Sequence, residues 1–415
     1  MIYKIYQEQN TKFYIYILFV VSLFISSIFG ENSSGGSKLD SEITRQFIDA
    51  FSRNFDNGIN YFIKTGQIQS PFFYFIISIF EKYLGKNFLN IIYIILSSCI
   101  PIIFYISLKK KFRNIDKNIL FFISLIIFLS PYMRSSAVWI TNDNLAILFF
   151  LLSISKYLSL KKNDNIKTYL LCFFYLTLAT YIRQYYAIFF LIYFLKLFKN
   201  FHFKKVIIVN FVLILTMVPQ FIFYYFFYKE NLSRITSPNT SEFPLKLDLA
   251  KNLLVFLSLY FFYLVPFCFD NFSRIKKYFS DNLKLNITLI SLLLIYIFFN
   301  PFFLDEFGGG AFYKIAKLYN FKYFFYLTSL LGLILLSLNL NKHNFVVYFC
   351  LVLAFPFPII YQKYFDPLLL ITIMTLTQKG YLNEIINNYK INLKLIFLYF
   401  SLFLISSNFY YSFKL

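Results

Sequence analysis

Long apolar runs separated by short polar connectors make up most of this 415-residue chain. They fall near 13–29, 88–107, 118–133, 142–157, 168–182, 185–198, 206–228, 252–269, 285–303, 322–340, 345–361, 367–378 and 394–410, about thirteen in all. Runs apolar on every side predict helices surrounded by lipid or by other helices. Several hold only about 14 residues, short of the roughly 20 that cross a bilayer squarely, so their ends are expected in protein or in a polar cavity. The first run, with Ser26-Ser27 and Gly30 behind it, imitates a signal peptide, but the many later runs make it the first transmembrane helix.

Basic clusters set the expected orientation. Lys109, Lys110, Lys111, Arg113 and Lys117 form one; Lys156, Lys161, Lys162 and Lys167 the next; then Lys196, Lys199, Lys204 and Lys205, and Arg274, Lys276, Lys277 and Lys284. By the positive-inside rule these connectors and the N-terminus are cytoplasmic. The apolar stretch 71–84 then cannot cross, because crossing would put the Lys109 cluster outside. It is expected in the outer interface, as is a helix from Asp40 to about Phe55 with apolar residues at Ile43, Phe47, Phe51 and Phe55. The expected fold class is therefore all-α: one integral membrane domain over 1–415, a polytopic bundle. Residues 30–87 form a first outer loop with two interfacial helices, and 88–410 hold the remaining spans.

Composition narrows the function. The chain is 59% hydrophobic and 14% charged, with 60 Phe and 36 Tyr, more than a soluble domain can bury. The net charge of +21 comes from the short clusters between spans and not from one basic face, which excludes a nucleic-acid partner. Cys99, Cys172, Cys268 and Cys350 lie in or beside apolar runs with neither disulfide nor zinc spacing. With only His202 and His343 present, a histidine-based metal site is not expected, and no cofactor is implied.

The outer face, by this parity, collects Asp40, Glu42, Asp49, Asp56, Asp143, Asp305, Glu306 and Asp366 together with Arg45, Arg134, Arg183 and Lys363. Charge held at a membrane face marks a candidate site. Trp139 is read as an interfacial anchor, Asp143 as a helix cap and Gly308-Gly309-Gly310 as a flexible outer turn. Asp305-Glu306 is a weak cation-binding signal. Asn32, Asn231 and Asn239 open glycosylation-type triplets of the kind expected by chance in such a chain.

Four stretches carry a family likeness: Leu39-Asp40-Ser41-Glu42 followed by Arg45-Gln46-Phe47; Phe62-Ile63-Lys64-Thr65-Gly66-Gln67-Ile68-Gln69-Ser70-Pro71-Phe72-Phe73-Tyr74; Tyr181-Ile182-Arg183-Gln184; and Tyr361-Gln362-Lys363-Tyr364-Phe365. In order and membrane side they resemble the GT-C superfamily of polyprenyl-phosphate-sugar glycosyltransferases, and within it the dolichyl-phosphate-glucose α-1,2-glucosyltransferase family. That family has adjacent acids where Ser41 intervenes here, a proline pair where Pro71 stands alone, and an arginine where Lys363 stands.

The resemblance implies an inverting hexosyltransferase. It would move a hexose, most plausibly glucose, from a polyprenyl-phosphate carrier to a glycan or lipid-linked oligosaccharide on the non-cytoplasmic face. Such chemistry needs a base for the acceptor hydroxyl and a cation for the departing phosphate. Asp40 is the candidate base, with Glu42 its alternate; Arg183 is the phosphate ligand, with Gln184, Lys363 and Arg45 as further substrate contacts. Each has a plainer reading: Asp40 or Ser41 as helix N-cap, Glu42 as a first-turn charge, Arg183 snorkelling to headgroups, Lys363 as an interfacial lysine, and Arg45 paired with Asp40 or Glu42. A flippase of lipid-linked sugars and a polysaccharide polymerase or ligase are the rival functions. The low-GC composition favours a bacterial plasma membrane over the endoplasmic reticulum.

Overall fold

A computed structural model describes residues 2–65, 69–160, 166–200, 203–236, 249–299, 308–355, 360–387 and 391–413, and these are helical with no named strand. The N-terminal part runs α1 (Ile2–Ile28), α2 (Ser37–Arg53), α3 (Phe55–Thr65), α4 (Phe72–Leu84), α5 (Lys86–Lys111), α6 (Lys117–Leu125), α7 (Pro131–Trp139), α8 (Asn142–Ser159), α9 (Ile166–Ile182) and α10 (Phe190–Asn200). It continues through α11 (Phe203–Thr236), α12 (Leu249–Cys268), α13 (Phe272–Asp281), α14 (Leu283–Phe299), α15 (Ala311–Leu318), α16 (Lys322–Leu338), α17 (Lys342–Leu353), α18 (Leu368–Leu376), α19 (Tyr381–Asn387) and α20 (Leu393–Ser412).

Among the described residues five helical stretches are long and apolar enough to cross a membrane: Asn10–Phe29, Lys86–Lys111, Lys205–Phe226, Lys251–Asn271 and Leu393–Ser412. Two bent pairs raise the number to seven if each is one span. The expected thirteen is larger because several apolar runs are shorter or broken as helices. The run 118–133 breaks at Ser130, whose hydroxyl caps α7 by accepting from the Met133 N–H at 3.0 Å, and the halves meet at a 61° bend. The run at 185–198 opens as a 3-10 turn over Gln184–Phe189 before α10 begins.

Large apolar side chains face outward on the long helices, such as Phe211, Phe221 and Phe298, which are 62%, 64% and 80% exposed. Lipid is the solvent that tolerates such a surface. Inside, the buried apolar residues form one core. α8 is largely enclosed between α5 and α9. α5 and α8 run parallel: Asn144, in the first turn of α8, donates to Ser97 Oγ midway along α5 at 2.9 Å, and toward their ends Lys110 Nζ donates to the Ser155 carbonyl at 2.8 Å. The four cysteines are free, with Cys172 and Cys350 buried.

The stretch 30–87, expected as a first outer loop with two helices, differs from that expectation. It folds as three helices instead of two, because Asn54 is extended (φ −162°, ψ 166°), ends α2 and caps α3 by accepting from the Asn57 N–H at 2.6 Å. The apolar face of α2 is not left for lipid: Phe47 packs on Phe62 of α3 (ring centroids 4.7 Å) and on Tyr74 of α4 (5.2 Å). Its buried residues are Ser37, Thr44, Phe47, Ile48 and Phe51, whereas Ile43 is 37% exposed and Phe55, 53% exposed, already belongs to α3. A strict four-residue step overshoots the 3.6-residue turn, so the expected stripe drifts around the helix.

Candidate functional site

The expected acid at the head of α2 is not a cap. The helix starts at Ser37 behind Gly36, so Asp40 already lies within its first turn, and Ser41 beyond it. The Asp40 carboxylate instead accepts from Lys363 Nζ at 2.7 Å. Lys363 sits on a 3-10 turn, Gln362–Tyr364, that several bonds hold in place. The Gln362 N–H donates to the Gly309 carbonyl at 3.1 Å, and Gly309 N–H donates to Ile360 at 2.6 Å. Gln362 Oε1 accepts from the Ala311 N–H at 2.9 Å. Gly308 and Gly309 take positive φ (91° and 68°), the region that favours glycine. The glycine triplet, expected as a flexible turn, is thus a pinned brace behind Lys363.

Arg183 follows the end of α9 and turns inward. Its Nη2 lies 2.8 Å and 2.9 Å from the two carboxylate oxygens of Asp143, in the first turn of α8. Thr141 occupies the N-cap position there, so Asp143 is an ion-pair partner and not the expected cap. The side chains of Arg183 and Asp143 are 9% and 16% exposed, those of Lys363 and Asp40 24% and 36%. One pair is therefore enclosed and the other opens to the surroundings. Burial alone would weaken the charge of Arg183, but the Asp143 carboxylate outweighs it and holds the guanidinium firmly protonated. Lys363 is likewise raised, Asp40 overcoming the effect of burial.

Tyrosines fill the space between the pairs. Tyr74 is buried, its phenol kept neutral chiefly by desolvation while it feels Arg183, Asp40 and Asp143. It donates to Gln69 Oε1 at 2.8 Å, and Asn142 Nδ2 donates to the same oxygen at 2.7 Å, tying α4 to the start of α8. Tyr364 and Tyr185 both pack on Phe355, with centroids 5.2 Å and 4.7 Å apart, which joins the Lys363 turn to the Arg183 turn. Arg183 Nε and Gln184 Oε1 are buried with no hydrogen-bond partner, so the inner pocket keeps unused polar capacity.

Two sequence-predicted residues are not brought in. Glu42 is exposed, two positions and some 200° around α2 from Asp40. Arg45 pairs with Glu81 of α4, not with Asp40 or Glu42. The sequence reading also missed Glu31, which takes Arg134 as a two-pronged partner (Nε to Oε1 3.0 Å, Nη2 to Oε2 2.8 Å). Burial pushes the Glu31 carboxyl up, yet Arg134 prevails and holds it below the ordinary range. Trp139, expected as a membrane anchor, donates Nε1–H to the Glu31 carbonyl at 2.8 Å and so braces that clamp. Asp305, Glu306, Lys161, Lys162, His202 and Asn239 lie outside the described residues.

No protein-family model, no curated protein and no solved structure matches this chain. Two of the four motif stretches supply the two halves of the Asp40–Lys363 pair.

Proposed function

We propose that this chain is a membrane glycosyltransferase that moves a hexose, most plausibly glucose, from a polyprenyl-phosphate carrier to a glycan or lipid-linked acceptor. The observation that carries this reading is the meeting of Asp40, Asp143, Arg183 and Lys363, from four distant segments, around Tyr74 and Tyr364 at one end of the bundle.

The charges suit the reaction. The acceptor hydroxyl oxygen attacks the anomeric carbon while its proton passes to Asp40. The bond from that carbon to the phosphate oxygen breaks, and its electron pair leaves with the phosphate, whose negative charge grows by one. Asp40 becomes neutral in the same step, so Lys363 loses its internal counter-charge as the phosphate gains charge. Arg183, with Nε unused, is the second donor to the leaving group, and a guanidinium binds phosphate with two parallel bonds. Attack opposite the leaving group inverts the anomeric centre. In this reading the site faces the non-cytoplasmic side, in a bacterial plasma membrane, with the N-terminus in the cytoplasm.

The test is sugar transfer in membranes holding equal amounts of the parent or its Asp40→Asn variant, supplied with labelled polyprenyl-phosphate-glucose and extracted acceptor lipids. Transfer by the parent and a loss on the order of 100-fold in the variant are expected for removal of a general base. Undiminished transfer in the variant removes Asp40 from the chemistry. No transfer by the parent, across a panel of carrier-linked sugars, overturns the enzyme reading.

A further inference from the structure

A second feature lies away from the ion pairs, at the lysine-rich end of the bundle. α1, α5 and α6 leave a crevice of about 200 Å³, lined by Tyr16, Pro101, Ile102, Tyr105, Phe121 and Ser124, with Lys12 and Phe13 at its edge. Its origin is local. Pro101 lies inside α5, where it removes one backbone donor and crowds the preceding turn. Tyr16 of α1 donates its hydroxyl to the Ser98 carbonyl at 2.9 Å, pinning the inner end of the gap. Ser124 is a small side chain whose hydroxyl is spent on the Phe121 carbonyl at 2.6 Å, so the wall it presents is effectively apolar.

The opening faces outward. Phe13 and Ile102 are 60% and 41% exposed. The rim is basic: Lys12 lines the crevice, and Lys109 Nζ sits 5.1 Å from the centre of the Tyr105 ring. The Asp116 carboxylate lies close enough to act on Tyr105 and is engaged by the Asn118 N–H at 2.9 Å as the cap of α6. The space exceeds the roughly 150 Å³ of an apolar cavity that takes up a benzene-sized molecule. Its lining of rings, aliphatic carbon and a spent serine hydroxyl suits a stretch of hydrocarbon chain and offers a polar headgroup no free partner inside.

The geometry points to a binding site for an anionic phospholipid, one acyl chain seated in the crevice and its phosphate against Lys12 and Lys109. Basic residues at the mouth of an apolar gap between membrane helices are the arrangement that selects anionic lipid over zwitterionic lipid. This site is separate from the sugar-transfer reading and stands without it.

Photo-crosslinking tests it on the full chain in phosphatidylcholine nanodiscs doped with either phosphatidylglycerol or phosphatidylcholine carrying a photoreactive acyl chain. Phosphatidylglycerol is expected to label peptides holding Tyr16, Ile102 and Phe121 on the order of tenfold more than phosphatidylcholine, as two lysines near a headgroup imply. The double variant Lys12→Gln with Lys109→Gln should erase that preference. Ser124→Trp, which fills the crevice, and Ile102→Trp, which blocks its mouth at an exposed position, should each remove the label there and leave label elsewhere unchanged. Equal labelling by both lipids overturns the proposal, as does label spread evenly along the outward helices or unmoved by either tryptophan. Displacement of the label by polyprenyl phosphate but not by unlabelled phosphatidylglycerol would also overturn it, assigning the crevice to the carrier lipid.

Discussion

Asp366 lies three residues beyond Lys363 and differs from the acids of the ion pairs in its partners. It is only 4% exposed, and its donors are neutral: Ser130 Oγ at 2.7 Å, the Tyr263 hydroxyl and the Tyr132 backbone N–H. Burial outweighs those hydrogen bonds and pushes its carboxyl up to about 6. The unfolded value is about 3.9. Between the two, the native chain holds a proton that the unfolded chain has released, so stability falls as pH rises through that window and the loss is complete above the native value. The expected outcome is a melting temperature in detergent that climbs as pH falls from 7 toward 5, with Asp366→Asn flattening the climb. Tyr263 and Tyr132 face the same pocket, and a phenol ordinarily ionises at about 10, outside this window. A slope unchanged in the variant would assign the titration to another group. Glu31 carries the reverse sign. Its carboxyl is held low by Arg134, so its contribution is full above the ordinary glutamate value and disappears as pH falls through its native one.

Single helices were legible where their periodicity was strong, and misread where position on the turn decides burial. For α2 the sequence pointed to a stripe at Ile43, Phe47, Phe51 and Phe55. The structure keeps Phe47 and Phe51, turns Ile43 outward and gives Phe55 to α3, and the difference is measurable. Phe47, 2% exposed and packed on Phe62 and Tyr74, should cost about 3–5 kcal/mol when cut to alanine. Ile43→Ala, at 37% exposure, should cost less than about 1 kcal/mol. Unfolding of both variants in the same detergent decides it, and equal losses would restore the four-residue stripe. The Ser130-Pro131 pair inside an apolar run was the visible sign that 118–133 would break, since proline favours the first position of a helix behind a serine cap. The charged residues of the site were nameable one by one, because charge beside an apolar run is conspicuous. Their partners were not: Asp40 and Lys363 stand 323 residues apart, and Glu31 and Arg134 103 apart. Nothing local in a helix pattern encodes a meeting at that distance, so Arg45 was matched to its own helix when Glu81 of α4 was the true neighbour.

At the scale of the molecule, charge is sorted along the bundle. Asp40, Lys363, Arg183 and Asp143 gather where α8 begins. At the far end lysines reach the carbonyls of helix C-termini: Lys110 to Ser155, Lys111 to Met374 at 2.9 Å, and Lys196 to Tyr157 at 2.8 Å. A cation near a helix C-terminus complements the helix dipole and adds a donor to the carbonyls of the last turns. This end is basic for a reason internal to the fold, and the positive-inside rule offers a second explanation, under which it would be expected in the cytoplasm. The two explanations part company in a labelling experiment. With Cys99, Cys172, Cys268 and Cys350 replaced, a single cysteine goes in at the exposed Glu42 or at the exposed Lys109. In intact cells an impermeant maleimide should label the Glu42→Cys protein at once and the Lys109→Cys protein only after permeabilisation. The opposite pattern would place the ion pairs in the cytoplasm, beside nucleotide sugars, and would remove the ground for a lipid-carried donor. Equal labelling of both would mean that no membrane separates the two ends, and the lysines would then be helix caps and nothing more.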